Sequence, residues 1–90
     1  MGTDARRAEE SLIREALLRE LKLYEARERL ALEEIADLER KHGMRSDEFM
    51  NLFETGEIGD DRQYFEWWGL IRGLTSIREQ IAAIKGMLSY

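Results

Sequence analysis

Residues 43–68 read GMRSDEFMNLFETGEIGDDRQYFEWW, and this stretch decides how the chain is arranged. It holds seven acids (Asp47, Glu48, Glu54, Glu57, Asp60, Asp61 and Glu66) against two bases (Arg45 and Arg62), a net charge of −5 that equals that of the whole protein. All three Phe, both Trp and three of the seven Gly also fall here. Glycine is the residue that most readily turns a chain out of a helix, and aspartate and serine are good residues for starting the next one. The stretch therefore reads as an acidic, aromatic elbow between two helical arms.

Working outward, the 90-residue chain has no Pro and no Cys, few β-branched residues and abundant Ala, Leu, Glu and Arg, an all-α composition. The N-terminal arm runs from about residue 4 to 42 with no breaker. Asp4 is the expected N-cap and Gly43 the expected C′ residue, following Arg40, Lys41 and His42, whose charge suits a helix C-terminus. Opposite charges four residues apart support it, among them Arg6/Glu10, Glu15/Arg19, Glu25/Arg29 and Asp37/Lys41. Such an arm is ~58 Å long, whereas a compact chain of this size is only ~30 Å across.

A short helix over residues 46–55 follows, with Ser46 as its expected N-cap and Gly56 as its stop. A last helix, over about 61–88, starts at an Asp60 or Asp61 cap and carries the apolar stripe Trp67, Leu70, Ile71, Leu74, Ile77, Ile81, Ile84 and Leu88. The expected fold is two long antiparallel helices joined by a short one, a single hairpin-like unit that assembles into an oligomeric helical bundle or coiled coil.

The oligomer follows from the apolar rows of the first arm. Leu17, Leu21, Tyr24, Ile35 and Leu38, with Ile13 and Ala31, keep near-heptad spacing and form the candidate oligomer seam. Leu12, Ala16, Leu23 and Leu30 form a second row about a third of a turn away, and Leu18, Leu32 and Ala36 a third. A helix with one intramolecular neighbour needs one stripe, so the surplus points to a second chain. At the elbow, Phe49, Phe53, Phe65 and Trp67 are the expected buried core.

Catalytic chemistry finds little footing. There is no Ser/His/Asp set, phosphate loop or thiol, so no enzyme activity and no catalytic residue is expected. Glu39 and His42 have the Glu-x-x-His spacing that ligates metal in some bundles, but His42 is the only His and abuts a helix stop. The elbow acids lack the alternating oxygen ligands of a calcium loop, and helix capping and solvation account for them; no metal or cofactor is expected. Gly69 and Gly73 could permit close helix approach, although in a soluble helix such a pair is often incidental. The acidic balance disfavours nucleic acid as the ligand, and no apolar run is long enough for a membrane span. The absence of cysteine is compatible with a cytoplasmic location.

The segment Lys41–Trp67 resembles a signature in a family of small prokaryotic proteins: Lys-Tyr-Gly-Met, then Glu-Phe, a further Phe, Gly-Glu-Leu-Gly-Asp-Asp and finally Glu-Trp. The matching residues are Lys41, Gly43, Met44, Ser46, Glu48, Phe49, Phe53, Gly56, Glu57, Gly59, Asp60, Asp61, Phe65, Glu66 and Trp67, with His42 in place of Tyr and Ile58 in place of Leu. The resemblance covers about a third of the chain. It implies an antitoxin-like component of a toxin–antitoxin gene pair, which would bind and neutralise a small basic toxin. On that reading Glu54, Glu57, Asp60, Asp61 and Glu66 form the partner-binding surface. The competing expectation is a self-associating coiled-coil scaffold with no toxin partner, whose acids only keep it dissolved.

Overall fold

The computed structural model describes residues 2–89, with side chains from Asp4 to Ser89. Among them are three helices and no strand: α1 (Gly2–His42), α2 (Ser46–Glu54) and α3 (Arg62–Leu88). No described helix is long and apolar enough to cross a membrane.

Local chemistry accounts for each boundary. Helix α1 stops at Gly43, whose φ of 59° is a left-handed conformation that only glycine adopts cheaply. The Met44 N–H donates back to the Glu39 carbonyl at 3.1 Å, closing the last turn. Helix α2 ends the same way: Gly56 has φ 74°, and the Glu57 N–H donates to the Leu52 carbonyl at 2.8 Å. Helix α3 is capped by Asp61, whose carboxylate accepts from the Gln63 N–H at 2.8 Å.

Two expected caps are corrected. Helix α1 already includes Gly2, so Asp4 lies inside the first turn, where its charge still complements the dipole. Ser46 is not the cap of α2: Arg45 occupies that position, in extended backbone and with no side-chain cap bond. The Ser46 N–H donates instead to the Glu39 carboxylate at 2.8 Å, so α1 supplies the missing acceptor from seven residues upstream.

The arms pack antiparallel. Ala31 and Ile35 of α1 and Leu74 of α3 form the buried centre, flanked by Leu70 and Ile71. Ile81 and Ile84 are buried further along α3. Arg78 donates to the Glu28 carboxylate at 3.0 Å, and the Arg14 guanidinium donates to the Leu88 carbonyl at 3.1 Å, which sets the end of α3 level with Arg14.

The seam assignment is therefore corrected as well. Ile35 is part of the intramolecular core, and Leu17, Leu21, Tyr24 and Leu38 lie half-buried on the same stripe. Arg14, Glu28 and Ala31 show that this stripe faces α3. A hairpin must cover its most continuous apolar row first, so that row is spent inside the chain. The surplus rows remain in solvent: Leu12 is 65% exposed, Leu30 59% and Leu23 46%, with Leu18 and Leu32 at 40%. The result is a rod of 65 × 21 × 19 Å, with a radius of gyration of 18.9 Å, where a compact chain of this length has ~12 Å.

Candidate functional site

The elbow is the one place where all three helices converge, and an aromatic stack holds it. Trp67 lies face to face on Phe49, with ring centroids 3.9 Å apart and planes within 3°. Both rings are fully buried. His42 stacks on Trp67 at 5.6 Å, and Tyr64 closes against both His42 (5.3 Å) and Phe49 (5.9 Å). Among the described residues no buried side-chain polar atom lacks a hydrogen-bond partner, as burial requires. The Trp67 indole N–H donates to the Ser46 hydroxyl at 3.1 Å, and His42 Nε2 donates to the Gln63 side-chain carbonyl at 2.8 Å. Glu39 and His42 are thus both engaged in joining α1 to the elbow. No group of three or more His, Cys, Asp or Glu among the described residues is arranged to hold a metal.

A second aromatic layer sits outside the first. Phe53 touches Phe49 at 5.5 Å, meets Phe65 edge-on at 5.3 Å and stacks on Trp68 at 5.9 Å. The Arg72 guanidinium lies 5.8 Å from the centre of the Trp68 ring. Here the expected elbow core is corrected: Phe49 and Trp67 are sealed and Phe53 is half-buried, but Phe65 is 56% exposed and Trp68 36%. Phe65 and Trp67 are two positions apart on a helix and so project to nearly opposite sides. Once Trp67 is seated on Phe49, Phe65 can reach only the rim of Phe53.

All five candidate acids are exposed, and their surroundings differ. Asp61 caps α3. Glu66 is one turn from Arg62 at 3.9 Å, a solvent-exposed pair of little energetic weight. Asp60 precedes the cap, close to the positive end of the α3 dipole. Glu54 and Glu57 have no such rationale. Glu54 is the last residue of α2 and Glu57 follows its stop, where the helix dipole is negative, and the last turn of α2 holds no base. Glu54 adjoins Phe53, and Glu66 adjoins Phe65. The elbow therefore presents an exposed aromatic pair, Phe65 and Trp68, together with two carboxylates, Glu54 and Glu57, that form no ion pair among the described residues.

No protein-family model, curated protein or solved structure matches this chain.

Sequence reasoning overlooked Ser46, Glu39 and Gln63 as the polar ties of the elbow. Their partners lie 21, seven and 21 residues away, and no local motif signals such pairings. The exposure of Phe65 had a signal, its position opposite the apolar stripe of α3.

Proposed function

We propose that this chain is a non-enzymatic protein–protein interaction module that self-associates and binds a small basic protein through its elbow, in the manner of the antitoxin-like family whose signature it resembles. Glu54 and Glu57 carry the reading. Two carboxylates at the negative end of a helix cost the fold something through repulsion, and a cationic partner would remove that cost. The adjoining Phe65 and Trp68 supply what binding energy needs beyond charge, since partly exposed aromatic residues dominate interface hot spots. The buried Phe49–Trp67 stack holds both features in one geometry before the partner arrives, which lowers the ordering cost of association. A cytoplasmic location belongs to the same reading.

The test reverses the two acids that have no structural duty. Glu54→Lys with Glu57→Lys should leave the melting temperature within a few degrees, yet abolish copurification of a basic protein from the native host. Wild-type yield should fall as salt rises, because the attraction is screened over ~8–10 Å. Undiminished recovery of the same protein by the reversed variant would sink the elbow reading.

A second reading, a self-associating scaffold, is favoured by the exposed leucine rows of α1. It predicts an oligomer by light scattering and no basic partner at any salt concentration.

A further inference from the structure

Beyond the elbow, one face of the rod carries apolar features that the single chain leaves unused. Leu12, Ala16, Leu23, Ala26 and Leu30 fall on one side of α1, about a third of a turn from the stripe that packs on α3. The same side borders a groove of about 450 Å³ between the arms, lined by Ala31 and Glu34 of α1 and by Gly69 and Gly73 of α3. Both glycines lie inside a helix, where glycine is a poor choice. A Cβ added at either would meet nothing within 4 Å, so packing within the chain does not require them. At the other end of the rod, α3 stops level with Arg14 and α1 overhangs it, although Met87 and Leu88 of α3 still share an open groove with Arg7, Glu10 and Ile13. The overhang carries Ala5, Ala8 and Leu12 on the side of the Leu12 row, all of them exposed.

Two pairs in the row are also symmetric along the helix, although Leu23 mirrors onto Arg19. Leu12 and Leu30 are equidistant from Leu21, and so are Ala16 and Ala26. Leu21 is within one residue of the midpoint of α1. A row with this symmetry is complementary to itself run backwards, the requirement for a two-fold interface. The chain exposes 6897 Å², whereas a folded monomer of its mass exposes ~5,500 Å². The surplus of roughly 1,400 Å² exceeds the ~800 Å² per partner that a standard stable interface buries.

We propose that a second copy of this chain covers this face, with its α1 antiparallel to the first and the two-fold axis crossing the Leu12 row at the level of Leu21, whose own side chain faces α3. Leu12 of each copy then opposes Leu30 of the other, and Ala16 opposes Ala26. Each overhang crosses the Gly69–Gly73 groove of the other copy, which Ala5 and Ala8 are small enough to approach closely. The two acidic elbows lie at opposite poles of the assembly, free for separate partners. This geometry rests on the self-association reading above and adds its register and its seat.

The experiment exploits the absence of cysteine in the chain. The double variant Leu12→Cys, Leu30→Cys, mildly oxidised at micromolar concentration, should run as a covalent dimer whose peptide map joins position 12 to position 30. Leu12→Cys alone should not cross-link, because the two copies of that residue are ~27 Å apart along the axis. Gly73→Leu places a side chain in the groove, and its Cβ meets nothing of its own fold within 4 Å. It should keep its helical circular dichroism and weaken the dimer at least tenfold by light scattering. A monomer mass for the parent would overturn both this geometry and self-association. A parent that is dimeric while Leu12→Cys alone cross-links, position 12 to position 12, overturns the antiparallel register alone. A Gly73→Leu variant that dimerises as well as the parent overturns the groove as the seat of the overhang.

Discussion

Phe49 and Trp67 at the elbow are fully buried, whereas Ala31, Ile35 and Leu74 in mid-hairpin keep 7–9% of their surface, and Leu12 and Leu30 on the same arm are more than half exposed. The contrast has a geometric cause. Three helices meet at the elbow, so a side chain there can be enclosed from several directions. Two helices touch along a single line, and each can cover only one stripe of the other. The elbow is consequently complete within one chain, and the arms are not. The function proposed above would divide along the same boundary, with the elbow meeting a foreign partner and the arms a second copy of the chain.

The sharpest way to break this comparison is to empty the elbow. Phe49→Ala or Trp67→Ala should destabilise the chain by ~3–5 kcal/mol, most of the stability of a small domain. A thermal melt that moved only a few degrees would show that the elbow is not the organising core. Leu74→Ala, in the thinner hairpin core, should cost less, ~2–3 kcal/mol, because the site is partly open and can relax. Denaturant titrations of the two variants side by side would rank the regions directly, and a larger loss at Leu74 would invert the comparison.

Smaller changes sharpen it. Ser46→Ala removes the acceptor of the Trp67 indole N–H and should cost ~1–2 kcal/mol, the price of leaving a buried donor unpaired. Ser46→Thr, which keeps the hydroxyl, should retain most of the stability, whereas Ser46→Asn, an equally good helix cap, should not. Phe65→Ala should cost the least stability, under ~1 kcal/mol, as expected for a rim contact on Phe53. Under the proposed function its effect would fall on partner binding, and recovery of the basic protein should drop severalfold. A large loss of stability with unchanged recovery would return Phe65 to the core.

The helix boundaries were legible because their causes are local. Gly43 and Gly56 adopt left-handed turns, and Asp61 binds a backbone N–H two residues on, so each signal and its consequence share one short segment. The apolar rows of α1 were legible too, being a matter of periodicity alone. Which row faces α3 was not, since several satisfy the same 3.6-residue period and the choice depends on where the elbow aims the second arm. Ser46 illustrates the same limit on a smaller scale. As a local residue it is a good cap, but Glu39 satisfies its N–H and Trp67 takes its hydroxyl.

By itself, then, the amino-acid order determined three helices, their stops, the acidic charge of the elbow and a surplus of leucine on the first arm. Only the tertiary structure decided that Trp67 and Phe49 are sealed while Phe65 and Trp68 remain in solvent, and that the heptad stripe of α1 is used inside the chain. The reason is that periodicity defines the faces of a helix but not their neighbours. Neighbours follow from how the elbow packs, through contacts between residues far apart in sequence that no local pattern encodes.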